Sequence, residues 1–270
     1  MPKLLISLIQ FSSGEDKDNN LNKAESLVRK AVSESKDSGL NHLICLPEVF
    51  NFRSDDPDLN NRQAEKLNTG TTSFWAADLA KELNICLVAG SILEQNPISS
   101  KPFNTSMVFG PQGECLGIYR KINLFKLCSE DSSAPSLNEP QFRSPGRDIF
   151  HFTFAGWQIG LAICFDLRFP KIFQRYRQEG CELVLLPSAF TYKTGEAHWE
   201  ILCRARAIEN QIYIAAPNQT TAAKCWGNSL IVSPWGEVLQ IMDSEGEGHI
   251  SQILDVEFLN SVQQSLPMEF

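Results

Sequence analysis

The sequence predicts an α/β protein built in layers. Three observations carry that expectation. Apolar runs of strand length recur along the chain, amphipathic stretches of helical period lie between them, and no shift in composition marks a linker. One domain over residues 1–270 is expected. The pattern leaves the number of sheets open.

Residues 4–11 form a first apolar strand. A helix follows at 21–32, where Leu21, Ala24, Val28, Ala31 and Val32 fall at helical spacing. A second strand occupies 43–46, and the polar stretch 51–70 is long enough for a rim loop or lid. FWAADLAKEL at 74–83 predicts a helix and ICLVAGSI at 85–92 a strand. Pro111-Gln112-Gly113 turns a hairpin between TSMVF and CLGIYRK. Residues 126–147 carry turn residues and little periodicity, which predicts a second long loop over the site. Two strands flank Ala155-Gly156, and the second leads to Cys164. A helix over KIFQRYRQEG, a strand over ELVLLPSAF, a helix over AHWEILCRARAIENQ and a strand over IYIAA come next. A hairpin through Pro234-Trp235-Gly236 and a short C-terminal segment close the chain.

Composition narrows the function classes. With 270 residues, 43% hydrophobic and 21% charged, the chain resembles ordinary globular proteins. A net charge of −8 leaves no electrostatic footprint for nucleic acid. No apolar run approaches the roughly eighteen residues that span a bilayer. The N-terminal MPKLLISLIQFSSG has the pattern of a strand and not of a signal peptide. Eight cysteines form no CxxC pair, and a chain of this size needs no stapling, so a reducing, cytoplasmic compartment is expected. No cluster has metal-ligand spacing, and no metal is expected.

Cys164 is the strongest candidate for chemistry. It follows the apolar run 161–163 and precedes a helix that starts near Pro170. A thiol at a strand-to-helix turn lies near backbone N–H groups and a helix dipole, and both favour thiolate. Taken alone, the same pattern describes an inert core cysteine. Glu48, in LICLPEVF, and Lys121, in LGIYRKINLF, each stand at or near the end of an apolar strand. Each alone is an ordinary surface charge. Together they place three reactive groups where the strand ends of an open α/β sheet converge.

In order, LPEVF, YRKINLF and AICFDLRFP resemble the Glu–Lys–Cys triad of the nitrilase superfamily of carbon–nitrogen hydrolases. Glu139, in NEPQFRSPG, matches a fourth position of that pattern, and PSAF, TGEAHWE, RARAIENQ and SPWGEV extend the resemblance along the chain. It implies a four-layer α-β-β-α sandwich, a homodimer or larger homo-oligomer joined through a helical face, and a small-molecule amide substrate. The implied reaction uses no cofactor and involves neither nucleic acid nor a membrane.

The residue types can carry that chemistry. Glu48 takes the proton of Cys164, and the thiolate attacks the amide carbonyl. Lys121 and the backbone N–H of Phe165 stabilise the oxyanion. Loss of ammonia leaves a thioester, which water activated by Glu48 hydrolyses. Glu139 holds Lys121 charged and oriented. Phe165, Arg168, Thr191, Tyr192, His198 and Trp199 are the expected substrate-binding residues, with Arg168 facing a substrate carboxylate. His198 could instead pair with Cys164 as in papain-like proteases, but its place on a helix favours a scaffold role. Arg204 and Arg206 are expected as helix-surface or interface charges.

Within the superfamily the resemblance is closest to the ω-amidase-like branch, which acts on α-keto analogues of glutamine or glutathione. PSAFTYKTGEAHWEILCRARAIE and the RFP at Pro170 favour deaminated glutathione as substrate, with α-ketoglutaramate as the alternative. Nitriles, carbamoyl compounds and a non-catalytic scaffold are the remaining readings. Three departures bear on the pocket: Asn123 and Asn228 stand where the family has histidine, and KLCSEDSSAP replaces the usual loop after Phe125.

Overall fold

Strand β1 (Lys3–Gln10) shows how the layers arise. Its Leu4, Ile6 and Leu8 join one hydrophobic core, while Ile9 and the following Phe11 join another. The same alternation runs through β2 (His42–Cys45) and β3 (Cys86–Glu94). Leu43, Cys45, Cys86 and Val88 face the first core, and Ile44, Leu87 and Ala89 face the second. A strand's period of two thus covers both faces of one sheet. Each such fully buried Leu or Ile contributes roughly 1.5–3 kcal/mol.

The computed structural model describes residues 3–127 and 137–269. Beyond β3 come β4 (Phe103–Phe109), β5 (Cys115–Arg120), the short β6 (Lys126–Leu127) and β7 (Leu137–Asn138), β8 (His151–Phe154), β9 (Trp157–Leu161) and β10 (Leu183–Leu185). Next are β11 (Tyr213–Ala216), β12 (Leu230–Val232), β13 (Val238–Ile241) and β14 (Gly248–Asp255). The first six-stranded sheet has the order β14-β1-β2-β3-β4-β5, the second β13-β12-β11-β10-β9-β8. In both, three central strands are parallel (β1-β2-β3 and β9-β10-β11), and the flanking pairs are antiparallel.

Among the described residues six helices complete the layers: α1 (Lys17–Glu34), α2 (Pro57–Arg62), α3 (Thr71–Leu83), α4 (Pro170–Gln178), α5 (Tyr192–Asn210) and α6 (Val256–Ser265). The Asp16 side chain caps α1 by accepting the Asn19 N–H at 3.0 Å. Leu21, Ala24 and Val28 of α1 pack with Ala76 and Leu79 of α3 on the outer face of the first sheet. Phe173 and Tyr176 of α4, with Trp199, Cys203 and Ala207 of α5, pack on the second. The result is the α-β-β-α sandwich. Among the described residues no helix is long and apolar enough to cross a membrane, and seven cysteines are free thiols.

The fold departs from the sequence expectations at several places, and the loop predicted over 51–70 also holds the short helix α2. The C-terminal segment contributes a full strand, β14, which pairs with β1 from Lys3↔Asp255 to Gln10↔Gly248. Helix α5 begins at Tyr192, five residues before the predicted start at 197, because Thr191 already provides an extended N-cap. The loop predicted over 126–147 holds the β6–β7 pair and a 3-10 turn at Glu139–Gln141, and its residues 128–136, Cys128 among them, lie outside the described residues. Arg206 is buried and is no surface charge: its Nε donates to the Leu167 carbonyl at 2.8 Å, bolting α5 to the turn that carries Cys164.

Candidate active site

The chain leaves β2 through Leu46-Pro47 and turns at Glu48. Gly90 on β3 makes this turn possible, since a Cβ there would lie 2.0 Å from the Pro47 carbonyl oxygen. Val49 follows in the left-handed region, φ 48°, with its N–H held by Ser91 Oγ at 3.0 Å. The Gln219 amide donates to the Glu48 carbonyl at 2.7 Å. These contacts fix the backbone from which the carboxylate projects.

Lys121 stands one residue beyond β5, its N–H on the Asn104 carbonyl at 2.8 Å and its own carbonyl accepting from Gly146 N at 2.7 Å. Its Nζ lies 2.9 Å from Glu48 Oε1 and 3.0 Å from Glu139 Oε2. Asn104 Nδ2 donates to Glu48 Oε1 at 2.8 Å, and Ala189 N to Glu48 Oε2 at 2.8 Å. Glu139 Oε2 also accepts the Phe125 N–H at 2.6 Å.

Cys164 arrives from the other sheet. Past the end of β9 the chain still runs beside β10, through Ala162 N to the Leu185 carbonyl and Cys164 N to the Pro187 carbonyl at 3.0 Å. Cys164 then takes φ 47° and opens a 3-10 turn through Arg168. A left-handed non-glycine residue stores on the order of 1–3 kcal/mol, and such residues concentrate at functional sites. Asp166 holds this turn. Buried, it accepts the Ile163 N–H at 3.0 Å, the Tyr119 hydroxyl at 2.7 Å, and both the backbone and side-chain N–H of Asn123 at 2.9 Å.

The electrostatics set the resting protonation. Burial opposes charge on Glu48, but the Lys121 ammonium and hydrogen bonds from Lys121, Cys164 and Asn104 prevail, leaving its pKa below the ordinary carboxylate value. Burial also opposes charge on Lys121, yet the Glu139 and Glu48 charges and Cys164 raise its pKa well above normal. Burial, then the Glu48 charge, push the Cys164 thiol well up against the pull of Lys121 and the Ala189 N–H. The resting set is therefore carboxylate, ammonium and thiol. A cavity of about 470 Å³ opens over it, lined by Glu48, Lys121, Glu139 and Cys164 together.

Residues 5–264 match the carbon-nitrogen hydrolase family. Omega-amidase NIT2 of Xenopus tropicalis is 38% identical over 99% of this chain and 94% of its own length, and the human omega-amidase NIT2 is 35% identical over the same shares. The chain belongs to the carbon-nitrogen hydrolase family. It is an enzyme of the amidase type. The crystal structure of Saccharomyces cerevisiae Nit3, a member of branch 10 of the nitrilase superfamily, superposes with a TM-score of 0.88 at 29% identity, over 100% of this chain and 96% of that one.

In this carbon–nitrogen hydrolase the substrate-binding residues expected from sequence divide into two groups. Phe165 and Thr191 line the cavity. Arg168, Tyr192, His198 and Trp199 are not among its lining residues. Arg168 lies over the rings of Phe165 and Phe190, 5.7 and 5.2 Å from their centroids, and its guanidinium meets exposed His198 at Nδ1. His198 is thus turned towards Arg168. Trp199 is fully buried behind Phe190 with its Nε1 on the Asn228 carbonyl at 2.8 Å. The early start of α5 turns Tyr192 outward onto Trp226.

Asn123 and Asn228 act in the scaffold: the first on Asp166, the second at φ 53° with its side chain on the Trp226 carbonyl. Sequence reasoning missed Asn104, Arg53 and Arg143, all on the cavity wall. Asn104 carried a findable signal, as a polar residue inside an apolar strand. The arginines lie in irregular segments and carried none.

Proposed function

We propose that the protein is an ω-amidase, hydrolysing the terminal amide of a short α-keto acid such as α-ketoglutaramate. The observation that carries the chemistry is one buried carboxylate, Glu48, ion-paired to Lys121 at 2.9 Å and sharing a cavity with the Cys164 thiol. The substrate class draws on the omega-amidase relatives at 35–38% identity.

Glu48 accepts the Cys164 proton as Sγ attacks the amide carbon. Lys121 and the Phe165 N–H receive the oxyanion, and Glu139 keeps Lys121 in place. Collapse breaks the C–N bond, the proton passes from Glu48 to the departing nitrogen, and ammonia leaves a thioester. Glu48 then takes a proton from water, which attacks the thioester, and the proton returns to Cys164. Exposed Ile201, Ile208, Trp235 and Ile241 favour a homo-oligomer, with a second copy of the chain covering them.

The test sets two amides side by side. α-Ketoglutaramate has a primary amide and releases ammonia, whereas deaminated glutathione has a secondary amide and releases cysteinylglycine. The ω-amidase reading expects kcat/KM at least about tenfold higher for the first, since a difference of only 1.4 kcal/mol suffices. A preference for the second would keep the mechanism and move the substrate to deaminated glutathione.

A further inference from the structure

Two guanidiniums line the cavity and belong to no step of the proposed reaction. Arg53 comes from the polar segment after β2, and Arg143 from the segment after β7. Arg53 Nη1 donates to Cys225 Sγ at 2.6 Å. Arg143 Nη1 donates to the Phe142 carbonyl at 2.9 Å and to Asn61 Oδ1. All of these acceptors are uncharged: a thiol whose pKa burial raises, a backbone carbonyl and an amide oxygen. Among the described residues neither arginine has a carboxylate within ion-pair distance, although both are partly removed from water and the Glu48 charge acts on each from farther off. Asp55, the acidic neighbour on the same wall, is occupied by Lys224 at 2.6 Å.

Charge balance explains what the pair is for. Glu48, Lys121 and Glu139 carry one net negative charge, and transfer of a proton from Cys164 to Glu48 does not alter the sum. That site alone repels an anionic substrate. With Asp55 neutralised by Lys224, Arg53 and Arg143 turn that sum from one negative to one positive charge. Partly desolvated guanidiniums without a carboxylate present planar, forked donors suited to binding one. The scissile amide must reach Cys164 at the floor, which directs the far end of a short substrate towards the walls.

We propose that Arg53 and Arg143 form an anion subsite that binds the distal carboxylate of the substrate and selects acid amides over neutral ones. This deepens the ω-amidase reading and rests on it for the position of the amide. Arg168, expected from the sequence to do this, is instead held over Phe165 and Phe190.

Two probes isolate the charge. Glutaramate and pentanamide share a five-carbon chain and a primary amide, and differ in a carboxylate against a methyl group. The wild-type enzyme is expected to favour glutaramate in kcat/KM at least about tenfold, a preference carried by KM and weakened by added salt. Arg53→Gln with Arg143→Gln is expected to reduce that ratio about tenfold or more, and Arg53→Lys with Arg143→Lys to recover part of it. Equal losses on both amides, or a ratio lost in Arg168→Gln and kept in the double variant, would overturn the subsite.

If the double variant fails to fold, the wild-type enzyme still decides. Cys164 is expected to react faster with iodoacetate, relative to iodoacetamide, than the other cysteines do, and salt is expected to erase the excess. No excess would overturn the proposal. A glutaramate preference without turnover of α-ketoglutaramate would retire the ω-amidase reading and leave the subsite standing. Turnover of α-ketoglutaramate with a ratio indifferent to both arginines would do the reverse.

Discussion

At the floor of the cavity every ionised group has partners of opposite charge or several hydrogen-bond donors. Glu48 accepts from Lys121, Asn104 and Ala189, and Lys121 sits between two carboxylates. On the walls, Arg53 and Arg143 donate among the described residues only to neutral acceptors. The floor is organised before substrate arrives, which is what electrostatic stabilisation of a transition state requires. On the proposed reaction, the walls hold charge that a substrate carboxylate would complete. The proposal therefore assigns the rate to the floor and the choice of substrate to the walls.

Substitutions at the floor give the largest effects. Lys121→Met leaves buried Glu48 and half-buried Glu139 without the ammonium that lies between them. It is expected to lower kcat at least about 10³-fold and to destabilise the fold by roughly 3–5 kcal/mol, read by ammonia release and urea unfolding. Glu48→Gln keeps the shape and removes the base, and kcat falls about 10²–10⁴-fold. A loss confined to KM in either variant would break the division between floor and walls.

One layer out, Asp166→Asn turns an NH₂ group towards donors that all need an acceptor. The expected cost is about 2–4 kcal/mol in urea unfolding, with a smaller fall in kcat than at Glu48. An unchanged midpoint would show that the nucleophile turn is held by something else.

The pH dependence separates the cavity from the rest of the molecule. Since the Glu48 pKa is depressed, its carboxylate stays ionised below the ordinary carboxylate value, so the proposed base is expected to survive mild acid near pH 5. Stability behaves differently. Burial, with the nearby His249 charge, pushes His42 down to about 4 from an ordinary 6.5. The unfolded chain then binds more protons than the folded one between those values, and stability is lost as pH falls through that window. The full loss is up to about 3 kcal/mol, and His42→Asn is expected to flatten it in urea unfolding at pH 7 and pH 5. A slope that survives the substitution would assign it to other groups.

Much of the fold and of the clustering at the cavity floor was legible because ionisable residues at the ends of apolar strands stand out in the sequence. Apolar runs broken by an ionisable residue located Glu48, Lys121 and Cys164, and the alternation of β1 to β3 is plain in Leu4, Ile6, Leu43 and Cys45. Strand β14 was hidden because GHISQILD mixes polar and apolar residues and pairs with β1 more than 200 positions away in the chain. The start of α5 was hidden in TYKTG, which has the composition of a turn. Arg206 looked like a surface charge because local sequence does not reveal the Leu167 carbonyl that it meets. Arg53 and Arg143 were invisible for the same reason: wall residues are placed by tertiary structure, not by period.

The most direct measurement is ammonia release from α-ketoglutaramate by the wild-type enzyme and by Cys164→Ala, with thermal unfolding of both. The account predicts turnover that falls to the buffer background in the variant while the unfolding midpoint moves by only a few degrees, since removing one buried sulfur costs about 1–2 kcal/mol. Turnover retained in a folded Cys164→Ala protein would contradict it.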